Sequence, residues 1–185
     1  MSNKRTSAQG LRHSTLDALR HEAFPVLKER GFNQLTPEDD ICLDFNRISS
    51  HRVECLTIQF DKHGLPAFKI LIAEGPLKGL PQYESKFVPG NELRTYQCRG
   101  EKAILTPGNT KSILARIVTF KWFKMRLAIL IGPEKAALRC VRQFVSLIPE
   151  CETWWESKIY GQHLIRDNTS ELLQSILEKR HGRLS

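Results

Sequence analysis

No stretch of this chain comes near the ~20 consecutive apolar residues that a membrane-spanning helix needs. The longest apolar run, Leu127 to Ile131, is five residues and suits a buried element. Met1 to His13 is polar and basic and lacks the apolar core of a secretory signal. It reads as a disordered basic tail on a cytoplasmic protein without a membrane partner. Cysteine is sparse: there are five, and the nearest neighbours, Cys140 and Cys151, are eleven residues apart. No pair has the two-residue spacing of a zinc site, and an odd count does not suit a secreted disulfide framework. Reduced thiols packing as small hydrophobes are expected, with no metal site.

Other signatures are incomplete. His21-Glu22 opens like a zinc-protease helix, but Pro25 stands where the second histidine belongs. Thr106 to Ser112 ends in Lys-Ser, yet Asn109 and Thr110 separate the glycine from the lysine, so a phosphate loop fails. The acids Glu38, Asp39, Asp40 and Asp44 lack the glycine and trailing glutamate of a calcium loop and read as a solvated strand entrance. There is no Gly-x-Ser-x-Gly elbow. The six histidines are scattered, and only Asp61 and His63 share a turn. No cofactor is implied and catalysis is not expected, leaving a hydrolase as the weakest functional reading.

What the chain does have is concentrated positive charge. Its net charge is +8, and between Pro76 and Leu130 ten Lys/Arg face three acids. Such a field limits which partners can approach. At 185 residues the chain fits one domain, expected over 14–185, that buries about 70% of its unfolded surface.

Ser14 followed by Asp17 marks a helix start, with Leu16, Leu19, Ala23 and Val26 as its apolar stripe. Pro25 predicts a kink or restart, and Gly31 an end. From Ile41 the period becomes two. Strands are expected over 41–46, 53–60 and 67–73, the first with Cys42, Asp44 and Asn46 on its wet side. Short connections favour an antiparallel meander. Residues 74–91 are dense in Gly and Pro and read as a long loop. Leu93 to Cys98 is a candidate fourth strand. Residues 113–125 fit a strand better than a helix. A helix begins at Pro133, with Ala137, Val141, Phe144 and Ile148 inward, and Pro149 is expected to stop it before a short helix carrying Trp154 and Trp155. A last helix is expected from Asn168. The fold class is therefore α+β: an antiparallel sheet of four or five strands with amino- and carboxy-terminal helices on one face.

One constellation stands above background. Arg94, Tyr96, Arg99, Lys111, Arg116, Lys121, Trp122, Lys124 and Arg126 mix cations with rings, as partner-binding and single-stranded nucleic-acid-binding surfaces do. A half-buried strand, aromatics inward and cation stems covering its outer face, uses the same residue types.

Leu27-Lys-Glu-Arg-Gly-Phe32, Trp122-Phe123, Ile148-Pro-Glu-Cys-Glu-Thr-Trp-Trp155 and Gly161-Gln-His-Leu-Ile-Arg166, with the period-two strands between them, resemble a loose group of uncharacterised bacterial α+β proteins. The resemblance covers residues 15 to about 166 and transfers no catalytic residue. It implies protein binding without turnover, since some similar domains are thought to be immunity proteins that neutralise toxins. With its net positive charge, this chain would suit an acidic protein partner. A non-enzymatic interaction module is thus the leading expectation, and single-stranded nucleic-acid binding through residues 94–126 the alternative.

Overall fold

Residues 8–37, 41–61, 67–82, 86–108, 123–125 and 128–167 are described by a computed structural model of the chain. The first helix, α1 (Ala8–Ala18), starts earlier than its capping signal suggested. Ser14 lies inside it, and its hydroxyl donates back to the Gly10 carbonyl at 3.1 Å. That back-bonding is how mid-helix serines satisfy themselves. Residues 8–13, expected in the tail, form the first turns, because Leu11 and the buried Thr15 carry the inward face back towards the amino terminus.

Pro25 has no N–H for an i−4 carbonyl. The chain widens just before it into a π-helical turn, Leu19–Ala23, in which the Phe24 N–H reaches the Leu19 carbonyl. It restarts as α2 (Phe24–Glu29) with Pro25 in the first turn. Gly31, at φ +83°, then ends the helix. Its N–H bonds the Lys28 carbonyl while that of Phe32 bonds Leu27, the paired bonds of a Schellman cap.

The sheet contains β1 (Asn33–Gln34), β2 (Cys42–Ile48), β3 (Val53–Phe60), β4 (Ala67–Gly75), β7 (Lys102–Leu105), β8 (Phe123–Lys124) and β9 (Leu164–Arg166). Its order is β1-β2-β3-β4-β7-β9, with β8 on the same side of β4 as β7, and every pairing is antiparallel. The α+β class holds, with seven strands among the described residues rather than four or five. The excess comes from strands of two or three residues, too short to show a period. A separate hairpin, β5 (Leu80–Pro81) with β6 (Phe87–Val88), lies within the segment read as a loop. Leu93–Cys98, the candidate fourth strand, instead passes through a 3₁₀ turn at Thr95–Gln97. Of residues 113–125 only the end is described, and β8 there is strand.

The carboxy-terminal helices are α3 (Ala128–Ile131) and α4 (Pro133–Ser157). Of the buried element expected at 127–131, residues Ala128–Ile131 form a single helical turn with Leu130 81% exposed. Pro149 does not stop α4, which runs through it for 25 residues. The inward series Ala137, Val141, Phe144, Ile148 continues in step through Cys151 and Trp155, all buried. Pro149 faces solvent, so the lost bond falls on the wet side of the helix. The helix expected from Asn168 lies outside the described residues.

Helices α1, α2 and α4 cover one face of the sheet. Register places Phe45, Leu56, Ile72 and Ala103 in one row across it, and Leu43, Ile58, Ile70, Leu105 and Leu164 in the next. These join Phe68, Phe123 and Phe144 in one large core. Phe68 and Phe123 stack 5.0 Å apart with Phe144 edge-on to both. The Trp155 indole N–H donates to the Ala73 carbonyl at 2.9 Å, fastening α4 to the central strand.

Beyond the last apolar row this face ends in charge. Arg47, Glu54 and Glu74 are cross-strand neighbours. Arg47 binds Glu54 at 2.6 Å and Glu152 at 3.2 Å, Arg30 also pairs with Glu152, and Lys158 pairs with Glu74. The Arg47 guanidinium also lies over the rings of Phe32 and Trp155. Burial opposes ionisation of Glu152, but the Arg30 and Arg47 guanidiniums outweigh it and hold its carboxyl below the usual range.

Candidate interaction surface

The opposite face of the sheet is also dry. Val53, Cys55 and Ala73 are buried on it, and so are Asp44, Asn46 and Thr57. The wet side expected for β2 is therefore covered: Asp44, read as part of a solvated acidic entrance, is 1% exposed. β3 carried the warning. Its row Val53, Cys55, Thr57 is hardly more polar than Glu54, Leu56, Ile58, the composition of a strand enclosed on both sides.

Residues 76–82 and 86–99 form the cover. Gly79 lets the segment double back: it sits at φ +98°, and a side chain there would collide with the Val88 carbonyl. After the β5–β6 hairpin come two 3₁₀ turns, Gly90–Glu92 and Thr95–Gln97. Leu93 and Cys98 pack on Val53, Cys55 and Ala73 as a second, smaller core, with Leu80 and Val88 against its rim.

Irregular backbone leaves carbonyls and amides without ladder partners, and burying them unpaired costs free energy. The polar residues under the cover fill that need. The Asn46 amide donates to the Leu93 carbonyl at 3.1 Å and the Gly90 carbonyl at 3.4 Å. The Thr57 hydroxyl lies 2.5 Å from the Asp44 carboxylate, to which it donates, and 2.8 Å from the Thr95 hydroxyl. Thr36 bridges the Asp44 N–H and the Cys42 carbonyl. Gln97 caps the turn, its side-chain oxygen accepting the Arg94 N–H at 2.9 Å. Asp44, Asn46, Thr57, Leu93 and Cys98 thus shape this surface from below, and none was singled out for it from sequence.

Anchoring alternate residues inward turns the others out. Leu93, Thr95 and Cys98 are buried; Tyr96 between them is 66% exposed, and Phe87 on the hairpin is 59% exposed. A cleft of about 360 Å³ opens here between Leu35, Val88, Glu92, Arg94, Tyr96 and Gln97. Arg94 leans inward, its Nη1 3.7 Å from the Asp44 carboxylate. Arg99 donates to the Pro81 carbonyl at 2.6 Å, and Lys102 to the Tyr96 carbonyl at 3.3 Å. Lys78, Lys86 and Arg99 are exposed around the same segment, as are Leu77 and Glu92.

Of the nine residues expected to bind, the structure gathers Arg94, Tyr96 and Arg99. Lys124 pairs with Ala67 at the far end of β4 from the Ala73–Lys102 pair. That is about 20 Å along the strand at the usual rise per residue. Lys111, Arg116, Lys121, Trp122 and Arg126 lie outside the described residues, as does His63 of the Asp61–His63 turn. Among the described residues no group of three or more His, Cys, Asp or Glu is placed to hold a metal ion.

Two histidines meet carboxylates elsewhere: His13 Nε2 lies 3.3 Å from Asp17 Oδ2 on the exposed side of α1, and His163 Nδ1 lies 2.6 Å from Glu150 Oε1. The other Glu150 oxygen accepts the His163 backbone N–H at 2.9 Å, so the pair binds the turn before β9 to α4. Tyr160, hydrogen-bonded to Glu101, is pushed up to about 12 by burial and by that carboxylate, which suits a structural phenol. No described helix is long and apolar enough to cross a membrane. No family model, curated protein or solved structure matches this chain.

Proposed function

We propose that this chain is a non-enzymatic interaction module that docks an acidic protein partner on the cover formed by residues 76–82 and 86–99. The observation that carries this reading is Tyr96, a ring held out to solvent between the buried Thr95 and Cys98. Tyr and Arg are the residues over which interface binding energy most often concentrates. A ring whose backbone is already fixed loses little freedom on binding. Among the described residues around it, exposed Lys78, Lys86 and Arg99 outnumber the exposed acid Glu92, which supports an acidic partner. Single-stranded nucleic acid is the competing occupant. A run of cations tracking a phosphate backbone would be needed for it, whereas Arg94 is turned to Asp44 and Lys124 stands far off.

The test is a pull-down with cross-linking from the native host, comparing the wild type with Tyr96→Ala/Arg99→Glu. The double variant should melt like the wild type and lose one defined protein partner. Retention of that partner overturns the reading. So does tight binding of labelled single-stranded RNA or DNA that weakens steeply between about 50 and 200 mM salt.

A further inference from the structure

Beneath the cover, two thiols meet. Cys55 lies on β3 and Cys98 follows the second 3₁₀ turn, and their sulfurs are 3.7 Å apart. Both are reduced and buried, at 0% and 2% exposure. They stand 43 residues apart in sequence and belong to different layers, one in the sheet and one in its cover. A disulfide needs its sulfurs about 2.05 Å apart, so each has less than about 1 Å to travel. We propose that Cys55 and Cys98 are an oxidation site: a hydroperoxide converts them to a disulfide that ties the cover to the sheet.

The chemistry balances with one peroxide. The Cys98 thiolate attacks hydrogen peroxide; the O–O bond breaks, giving a sulfenic acid and, with one proton, water. The Cys55 sulfur then displaces the sulfenic hydroxyl, forming the S–S bond and releasing a second water. Two thiols and one peroxide become one disulfide and two waters, and the peroxide takes up two electrons.

The surroundings assign the roles. When the pair carries one negative charge, the Cys55 S–H donates to the Cys98 sulfur. This holds Cys98 below the ordinary thiol range, with help from Lys102, and pushes Cys55 up. Cys98 is therefore the attacking sulfur and Cys55 the resolving one. Cys98 is on the cover, so a small local opening of residues 90–99 admits peroxide without disturbing the helices. Cys151 contrasts with it. That thiol is buried in the helix-side core, and burial pushes it up, away from the reactive thiolate.

The site does not depend on what the cover binds, and neither does its test. The full chain is treated with a slight excess of hydrogen peroxide while folded, then denatured, alkylated and peptide-mapped by mass spectrometry. The expected product is two hydrogens lighter, carries a Cys55–Cys98 cross-link, and leaves Cys42, Cys140 and Cys151 alkylated. Its Tm should exceed that of the reduced protein by about 5–10 °C, the scale for closing a long loop in a protein of this size. Dithiothreitol should reverse both changes. Cys55→Ala should block the cross-link; should that variant misfold, the wild-type map decides alone. The proposal is overturned by sulfinic or sulfonic acid at Cys98 without a cross-link, by a cross-link through Cys42, Cys140 or Cys151, or by a cross-link that leaves Tm unchanged.

Discussion

The two faces of the sheet solve the same burial problem with different materials. On one, helices lay down Phe144, Ile148 and Trp155 over aromatic and branched rows, and hydrophobic area supplies the adhesion. On the other, a segment without periodic structure covers a small core, and side chains such as Asp44, Asn46 and Thr57 bond with that segment. The helical face can lose a methyl group and stay organised. The covered face depends on a few directed hydrogen bonds, each leaving a stranded buried group if its partner is removed.

Four measurements would break or sharpen this contrast. The largest effect is expected from Trp155→Ala, which empties the helix-side core and removes the bond to Ala73. It should cost about 3–5 kcal/mol by denaturant unfolding, and a smaller loss would mean that the helix is held elsewhere. Asp44→Ala comes next, at about 2–3 kcal/mol, because it leaves the Thr57 hydroxyl and the Arg94 guanidinium short of an acceptor. Its signature should be local, with amide exchange rising in residues 90–98 and not in α4. A neutral Asp44→Ala would show that apolar packing alone holds the cover.

The third measurement uses pH. Glu152 is held below the usual carboxyl range when folded, so it binds its proton less readily there than in the unfolded chain. Its contribution is therefore complete at neutral pH and fades as pH falls below about 4.3 through the depressed folded value. Glu152→Gln should remove about 1 kcal/mol at pH 7, as a partly exposed ion pair does, and less at pH 3. Equal losses at both values would assign the effect to packing. The smallest change in stability is expected from Tyr96→Ala, below about 0.5 kcal/mol, although it should weaken partner binding more than any other substitution here. A large loss of stability instead would make Tyr96 a structural residue.

The contrast also explains what was legible before the structure. Strands at 41–46, 53–60 and 67–73 were visible because their period of two is bounded by turns. The restart at Pro25 and the end at Gly31 were visible because one residue type dictates each. Pro149 misled because a local rule competed with a longer pattern: the step from Ile148 to Cys151 to Trp155 keeps the inward stripe in phase, and packing outweighs one lost hydrogen bond. The cover was illegible because its anchors, at 93, 95 and 98, follow no repeat. Arg94, Tyr96 and Arg99 were picked out by charge and ring content, but composition cannot say that Arg94 turns inward to a carboxylate fifty residues earlier in the chain.

Among the described residues, the outermost strands of the sheet, β1 and β9, have two and three residues. A neighbouring copy aligned along either margin would find only a couple of backbone groups there to zip onto, too few to seed a fibre. Among the described residues, crowded copies of this protein therefore find no long margin along which to polymerise.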